Sequence, residues 1–432
     1  MKISIVSLGC VKNLVDSEMM CGCFLNANCE YVKEPKDADI IIVNTCGFIL
    51  SSKKESLDTI FRLLSLDKPI FVTGCLVERY LDNLRKEIPE VSRFIPIRDY
   101  SHFKEIVNDA LGFPLLNDDL NMKNRALSSE PNSAYLRISD GCDNRCSYCA
   151  IPLIRGNLKS RPMEEIYEEA LLLAKKGIKE LVLIAQNTTD YGKDGLGYNL
   201  VDLLKKLLTI EEFHFIRTLY LYPHDVSDEL IDLFASEVRL TPYFDLPFQH
   251  VNDELLKAMN RRDKKIDIIN LLDKIHAKIE HPFIRTTFII GFPGETEEQF
   301  SELLDFIKHY RFTHLGAFVY SREEGTVSYD FKEQVNKKVA KDRLRRLLAL
   351  QKQISKEINE TYIGLKMDAL VIKKIRKDAY LVRSGFNAPD DIDGKIYLYT
   401  NEHLEPGEVV QIEIVNSASY DLEAKFISKT QF

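Results

Sequence analysis

The sequence lacks any apolar run of the length that a membrane helix requires. A transmembrane helix needs about 20 consecutive apolar residues, and no segment of the 432-residue chain approaches that length. The apolar stretch before Cys10 spans only a few residues, whereas the apolar region of a secretory signal has about 7–15. We therefore expect a cytoplasmic protein with no membrane partner. Tryptophan is also absent, but this absence excludes no class of function.

Two features that favour nucleotide or nucleic-acid binding are missing as well. No G-x-G-x-x-G motif follows the first apolar run at 3–8, so dinucleotide binding of that kind is unsupported. The chain also lacks a positive net charge, because 66 Asp and Glu residues outnumber 58 Lys and Arg residues and leave a net charge of −8. This balance argues against a large nucleic-acid-binding surface.

Cysteine is plentiful, and its use is informative. Structural disulfides are rare in the cytoplasm, and the nine cysteines of this chain cannot all pair internally because their number is odd. Metal binding or catalysis therefore becomes the leading explanation for some of them.

The chain divides into parts with different patterns of strands and helices. Residues 1–120 alternate β-branched runs with helical stretches, which predicts an open α/β domain built on a parallel sheet. Residues 121–133 are polar and rich in Pro, Ser and Asn, and we interpret them as a linker. Residues 134–362 resume the alternation. Residues 364–432 carry short alternating runs between turn signals, which is typical of a small all-β barrel.

Residues 134–362 contain six candidate strands separated by helical segments. Six strand–helix units predict a parallel barrel, closed or partly open, whose functional groups lie at the C-terminal ends of the strands. A charged amphipathic stretch over 336–362 predicts one long helix before Gly364. The candidate strands are 135–138, 180–184, 216–221, 243–246, 285–290 and 313–319, and those of the last domain are 368–372, 379–383, 395–398 and 409–415.

Cys142, Cys146 and Cys149 form a C-x3-C-x2-C motif directly after the first strand of this predicted barrel. Three thiolates within eight residues can surround one [4Fe–4S] cube and leave its fourth iron free for another ligand. Zinc binding and a ferredoxin-like electron carrier are the alternatives. Zinc sites usually contain two paired Cys or His elements, and ferredoxins supply more thiolates at other spacings, so both fit the motif less well.

With Tyr148 at its aromatic position, the motif resembles that of the radical S-adenosylmethionine superfamily. The resemblance implies that S-adenosylmethionine binds the free iron and is cleaved to a 5′-deoxyadenosyl radical. It also implies contact between Tyr148 and the adenine, although a packing aromatic is the alternative. Gly291 and Gln186 lie at the ends of two candidate strands and are further candidates for cofactor contact. An ordinary strand–helix turn would give the same sequence around Gly291.

Cys10, Cys46 and Cys75 are far apart in sequence, yet each lies just past the end of a predicted strand. The ends of parallel strands line one crevice in an open sheet, so we expect the three thiols to converge. Three separate buried cysteines are the alternative, because free Cys is commonly buried. The other cysteines, Cys21, Cys23 and Cys29, are expected to be ordinary packing or surface residues.

The dispersed cysteines, the C-x3-C-x2-C motif and the small β domain together resemble the methylthiotransferase family over essentially the whole chain, and the last domain resembles its TRAM domain. The resemblance implies that Cys10, Cys46 and Cys75 hold an auxiliary cluster, so that two [4Fe–4S] clusters are present. One S-adenosylmethionine would generate the radical and another would donate the methyl group. An electron donor such as flavodoxin or ferredoxin and a sulfur carrier are the implied partners.

Two branches of this family differ in their substrates. Residues 11–18 read V-K-N-L-V-D-S-E and resemble the RimO branch, which modifies the β-carbon of an aspartate in small-subunit ribosomal protein twelve. Segments 186–192 and 387–394 also resemble that branch, whereas Val11 departs from the Pro or Ala often found there. The rival hypotheses are tRNA adenosine methylthiolation, whose branch usually reads Gln-Met-Asn after the first cysteine, and a non-enzymatic iron–sulfur or zinc protein that binds RNA.

Charge in the last domain separates these hypotheses. Residues 385–424 contain nine acidic residues and a single basic one, Lys395. A β domain that binds tRNA should present Lys and Arg to phosphates, whereas an acidic one attracts a basic ribosomal protein. A merely solvated acidic surface is the alternative. The acidic residues are Asp390, Asp391, Asp393, Glu402, Glu405, Glu408, Glu413, Asp421 and Glu423.

Overall fold

A computed structural model describes residues 1–128, 132–389 and 393–430. Within these ranges, no helix is both long enough and apolar enough to cross a membrane. The strands are β1 (Lys2–Ser7), β2 (Glu30–Tyr31), β3 (Ile40–Thr45), β4 (Ile70–Gly74), β5 (Arg93–Ile95), β6 (Ser133–Arg137), β7 (Ser139–Asp140), β8 (Lys159–Ser160), β9 (Glu180–Ile184), β10 (Phe215–Thr218), β11 (Tyr243–Asp245), β12 (Phe283–Ile290), β13 (His314–Val319), β14 (Lys366–Arg376), β15 (Ala379–Arg383), β16 (Ile396–Tyr399), β17 (Val409–Ser417) and β18 (Leu422–Lys429). The α-helices are α1 (Val11–Asn26), α2 (Leu50–Leu64), α3 (Cys75–Glu87), α4 (Phe103–Leu111), α5 (Ile151–Arg155), α6 (Met163–Lys175), α7 (Leu200–Leu207), α8 (Asp228–Ser236), α9 (Asp253–Ala258), α10 (Lys265–Lys278), α11 (Glu297–Tyr310) and α12 (Lys337–Thr361).

The N-terminal domain is a parallel five-stranded sheet in the order β2-β1-β3-β4-β5. Strands β3 and β4 are buried at every position, as expected for a parallel sheet covered by helices on both faces. The chain winds outward to β2 on one side of β1 and to β3, β4 and β5 on the other. The strand order therefore reverses between β1 and β3, and such a reversal leaves a crevice at the C-terminal ends of the strands.

The central domain contains all six predicted strands in sequential order. β6, β9 and β10 form one parallel group, and β11, β12 and β13 form another. The two groups are joined where Ile216 of β10 pairs with Leu240 just before β11. In the described part of the chain β6 and β13 do not pair, so the barrel is partly open. A single large apolar core lies between these strands and their helices.

The last domain is a closed barrel in the order β14-β15-β16-β18-β17. The long helix α12 leads into it and begins at Asn336, whose side-chain oxygen accepts a hydrogen bond from the backbone N–H of Lys338 at 2.8 Å. The sequence prediction identified four of the five barrel strands and missed β18. Together the three domains confirm the predicted fold class.

Buried ion pairs join the domains. In the segment that we interpreted as a linker, residues 129–131 lie outside the described residues, but Arg125 is buried between the first two domains. Its Nε donates to Glu169 of α6 at 3.0 Å, and its other nitrogens donate to Glu18 of α1 and to the Tyr135 carbonyl. At the boundary with the last barrel, Glu180 of β9 pairs with Arg217 of β10 and with Arg383 of β15.

We predict that Arg125→Met destabilises the protein by about 3–5 kcal/mol, because removing one partner leaves buried carboxylates uncompensated. Urea unfolding followed by circular dichroism measures the loss. The matched control is Lys123→Met, whose exposed pair with Glu168 contributes about 0–1 kcal/mol. Equal unfolding midpoints for the two variants would contradict this prediction.

Candidate active site

The structure brings Cys10, Cys46 and Cys75 to one crevice of the N-terminal sheet. They follow β1, β3 and β4 at the C-terminal edge, beside the point where the strand order reverses. Two neighbouring glycines permit the close approach. A Cβ on Gly9, which has φ +88°, would lie 2.7 Å from Cys46 Cβ, and one on Gly47 would lie 2.8 Å from the Cys75 carbonyl carbon.

The electrostatics of these thiols also indicate that they converge. Burial raises the pKa of Cys75 to about 12, where Arg155 opposes the rise and the neighbouring Cys10 and Cys46 add to it. Burial likewise raises the pKa of Cys46, with a smaller contribution from Cys10. Cys46 and Cys75 are therefore buried within electrostatic range of Cys10, which is itself exposed at the rim of the crevice. Because iron binds thiolates, occupation of this crevice must displace protons.

The second triad lies in the loop that follows β7, at the mouth of the central barrel. Burial raises the pKa of Cys149 to about 12, and Cys146 and Cys142 raise it further. The loop is held in place by Ser147, whose N–H donates to the Met259 carbonyl at 2.9 Å and whose hydroxyl donates to the Ala258 carbonyl at 2.8 Å. The packing of this loop is thus determined by the end of α9.

One side chain, Arg155, connects the two triads. It ends α5, which begins two residues after Cys149, and its side chain is only 2% exposed. It donates to Asn13 Oδ1 at 3.0 Å and Asp16 Oδ2 at 2.7 Å, both in α1, and to Asp140 Oδ2 at 3.1 Å. Asn13 Oδ1 also accepts a hydrogen bond from the Cys75 thiol at 3.4 Å.

Apolar packing also closes the boundary between the first domain and the central domain. Cys75 shares a buried cluster with Ala150 and Ile154 of the segment that follows Cys149. The crevice of the first domain and the mouth of the barrel therefore face each other across Arg155 and this small apolar cluster.

The residues present fit iron–sulfur clusters and an organic cofactor. All six cysteines of the triads are free thiols. Among the described residues no three His, Cys, Asp or Glu side chains could share a single metal ion, and a four-iron cube requires a wider spacing than one ion does. Two buried oxygens at the barrel mouth, Ser139 Oγ and Gln186 Oε1, have no hydrogen-bond partner within the described ranges. Such atoms fit a polar ligand, because buried polar groups normally have partners.

The three residues that we predicted to contact the cofactor have different surroundings in the structure. Tyr148 is half-buried beside Cys146 and Cys149, and Gln186 Nε2 donates to Asp140 at 2.6 Å. Gly291 has φ +74°, and a Cβ there would lie 2.5 Å from Ala340 Cβ. Its missing side chain thus serves the packing of α12 against the turn. Cofactor contact by each of these residues stays a prediction.

Sequence reasoning missed three polar residues of this region, namely Lys12, Asn13 and Arg155. All have buried side chains and lie within a few residues of a triad cysteine. Arg155 is a charged residue at the end of the short apolar helix α5, and this position was the available sequence signal for a functional role. No local pattern indicates that its partners come from another domain.

Three family models match consecutive parts of the chain. The model described as the radical SAM superfamily matches residues 136–307, and the model described as a TRAM domain matches residues 363–427. Residues 2–96 match the uncharacterized protein family UPF0004.

Curated relatives match the chain over nearly its whole length. The ribosomal protein uS12 methylthiotransferase RimO of Acetivibrio thermocellus is 41% identical over 99% of this chain and 99% of its own. The RimO protein of Aquifex aeolicus is 42% identical over 98% of this chain and 97% of its own. That of Carboxydothermus hydrogenoformans is 42% identical over 99% of this chain and 100% of its own.

Two solved structures share the fold at low sequence identity. The radical S-adenosylmethionine methyltransferase TsrM from Kitasatospora setae, with cobalamin and a [4Fe–4S] cluster bound, has a TM-score of 0.53 at 13% identity, covering 84% of this chain and 78% of that chain. The cobalamin-dependent S-adenosylmethionine radical enzyme OxsB has a TM-score of 0.51 at 13% identity, covering 81% and 56%. These similarities concern the fold alone.

The resemblance described above implies a four-iron cluster on each triad. On that basis we predict that Gly9→Ala removes the iron of the first triad, because the added methyl group would collide with Cys46. Iron content should then fall from about eight to about four per chain, while 5′-deoxyadenosine formation persists. The control is Gly112→Ala, since Gly112 also has a positive φ, +74°, but no neighbour within 4 Å of an added Cβ. Unchanged iron in Gly9→Ala would show that this crevice holds no cluster.

Proposed function

Because the chain belongs to the RimO family of ribosomal protein uS12 methylthiotransferases, we propose that it adds a methylthio group to the β-carbon of an aspartate in uS12, the small-subunit ribosomal protein twelve. It is a radical S-adenosylmethionine enzyme, so the hypothesis of a non-enzymatic iron–sulfur or zinc protein is wrong. The hypothesis of tRNA as the substrate is disfavoured by the family and is tested below.

The facing arrangement of the two cysteine triads across Arg155 is the observation that carries this proposal. We assign the radical cluster to Cys142, Cys146 and Cys149, and an auxiliary [4Fe–4S] cluster to Cys10, Cys46 and Cys75. When bound, these clusters and S-adenosylmethionine would supply a sulfur atom, a methyl group and a radical. The radical would remove hydrogen from carbon. In this proposal the substrate carbon lies between the triads, where both clusters act on it.

The residues around the triads would hold and tune these groups. Arg155 and Asn13 fix the separation of the triads. Asn144 Nδ2 lies 3.5 Å from Cys142 Sγ, and the backbone N–H of Ile151 lies 3.5 Å from Cys149 Sγ. Hydrogen bonds to cluster sulfurs shift the reduction potential. We assign Tyr148 to the adenine and Gln186, with its unpartnered oxygen, to the polar groups of the cofactor.

Partners that deliver electrons and sulfur complete the proposal. We expect a flavodoxin or ferredoxin to reduce the radical cluster and a sulfur carrier to replenish the auxiliary one. Asp143 and Arg145 of the motif loop are exposed, and we propose that the electron donor docks on this loop.

The acidic surface of the last barrel is smaller than its sequence indicates. Asp393 is buried against Tyr243 and the Ala388 N–H, and Asp390 and Asp391 lie outside the described residues. Glu408 and Glu413 pair with Lys429 and Lys425, at 2.7 and 3.0 Å. The remaining acidic residues are Glu402, Glu405, Asp421 and Glu423, and we propose that they attract the basic uS12 protein.

The assignment of the clusters is tested by cysteine variants of the reconstituted enzyme. We predict that Cys149→Ala abolishes 5′-deoxyadenosine formation, since it removes a ligand of the radical cluster. Cys46→Ala should keep 5′-deoxyadenosine formation but stop methylthiolation. Cys21→Ala, outside both triads, is the control and should retain both activities. Full methylthiolation by Cys46→Ala would overturn the auxiliary-cluster assignment.

The substrate is tested by mass spectrometry of uS12 and of digested tRNA from a strain that lacks this gene. We expect uS12 to lose a methylthio group and tRNA to remain unchanged. Loss from tRNA with uS12 unaltered would replace the proposed substrate by tRNA adenosine.

We predict that a Glu402→Lys, Glu405→Lys double variant weakens uS12 binding several-fold, because it reverses two exposed charges that attract a basic partner. Fluorescence anisotropy at increasing salt measures the effect, which should shrink as screening grows. The control is Lys373→Glu with Lys374→Glu, which reverses two exposed basic charges near the end of β14. A larger loss in this control would contradict docking through the acidic surface.

A further inference from the structure

Lys12 carries an ammonium group into the interior of the protein. The residue is 9% exposed, and its side chain extends from α1 of the first domain into the mouth of the central barrel. Its Nζ lies 3.4 Å from the centroid of the Tyr220 ring and 3.5 Å from the Ala185 carbonyl oxygen. Ala185 directly follows β9, and Tyr220 lies two residues past β10. The ammonium therefore lies over the C-terminal ends of barrel strands, where barrel enzymes bind their ligands.

Lys12 connects the surroundings of both cysteine triads. It follows Cys10 of the first triad by two residues at the start of α1, and its Nζ reaches the Ala185 carbonyl at the mouth of the barrel that carries the second triad. In the proposed reaction one carbon atom must be reached from both triads, so the substrate residue has to lie between them. Lys12 is therefore in the region where the reacting carbon must be.

The charge of Lys12 lacks a close counter-charge of its own. Among residues 1–128, 132–389 and 393–430, no carboxylate lies within ion-pairing distance of Nζ. Asp245 and Asp140 act on it from longer range, and both already accept hydrogen bonds, from the Tyr220 N–H and from Gln186 and Arg155.

This situation differs from that of the other buried cations in the same region. Arg125, Arg137 and Arg155 each contact a carboxylate directly. A buried charge without a partner is costly, and the face of an aromatic ring offsets only part of that cost. A carboxylate supplied from outside the chain would complete the site.

We propose that Lys12 binds the side-chain carboxylate of the substrate aspartate and thereby selects aspartate over its amide. The inference rests on the proposed function. In an aspartate the carboxylate is bonded directly to the β-carbon, so a cation that holds the carboxylate also fixes the carbon between the triads. Charge-assisted hydrogen bonds are among the strongest in proteins, and one at a desolvated site changes affinity by about tenfold or more.

The test uses the cluster-loaded, full-length enzyme and two peptides that span the proposed target position of uS12, one with Asp and one with Asn at that position. Anaerobic fluorescence anisotropy without reductant gives Kd for each peptide without turnover. Wild-type enzyme should bind the Asp peptide about tenfold tighter than the Asn peptide. Lys12→Met should bind both equally, and Lys12→Arg should retain most of the preference because it keeps the positive charge.

The matched control is Lys54→Met, which removes an exposed lysine of α2 and should preserve the wild-type ratio of Kd values. Iron content and circular dichroism are matched across the variants before binding is compared. An equal ratio in wild type and Lys12→Met overturns the proposal. Weaker S-adenosylmethionine binding by Lys12→Met with an unchanged peptide ratio would assign Lys12 to the cofactor instead.

Two further outcomes separate this inference from the proposed function. If wild-type enzyme binds the Asp and Asn peptides equally and still methylthiolates the Asp peptide normally, only the role of Lys12 is overturned. This comparison requires no variant. Formation of 5′-deoxyadenosine without any methylthiolation of the Asp peptide overturns the proposed substrate, and the role of Lys12 falls with it.

Discussion

The buried guanidinium of Arg155 is the interaction on which the relative position of the two cysteine triads depends. Arg155 belongs to the central domain and follows Cys149 by six residues, whereas its partners Asn13 and Asp16 follow Cys10 in the first domain. Asp16 is fully buried and also pairs with Arg137 at the end of β6. The Asp16 carboxylate thus pairs with two cations of the central domain, which favours the register of the two domains that brings the crevice and the barrel mouth together.

Other buried charges extend this constraint to the remaining boundaries. Glu323, which follows β13, pairs with Lys53 and Arg79 of the first domain, and Glu180 pairs with Arg383 of the last barrel. Buried ion pairs contribute little net stability compared with apolar packing, but a misaligned pair leaves an uncompensated charge. A misaligned domain interface therefore costs more free energy where buried ion pairs cross it than where the interface is apolar and well packed. The ion pairs therefore help to hold the two cysteine triads face to face, as the proposed function requires.

Local patterns in the sequence were sufficient to predict much of this architecture. The β-branched runs that become β3 and β4, and the cysteines placed just past them, follow from rules that act over a few residues. β18 was missed although Leu422 to Phe426 alternate apolar and polar residues, with Leu422 and Ala424 buried, so a local strand signal was present and went unused. That omission affected a functional argument too, since Lys425 and Lys429 of β18 neutralise two of the acidic residues that we counted. The position of Lys12 could not be predicted at all, because it is determined by how two domains dock.

One buried cation at this boundary is available to compensate the negative charge that the proposed clusters would add. Burial raises the pKa of Cys75 and of Cys149 to about 12, so in the absence of iron both thiols stay protonated and neutral at physiological pH. Iron would convert them to thiolates and release their protons. Arg155 already pairs with Asp16 and Asp140, whereas Lys12 contacts no carboxylate among the described residues. Of these two cations, Lys12 is therefore the one that can offset added negative charge, from the proposed clusters or from the proposed substrate carboxylate.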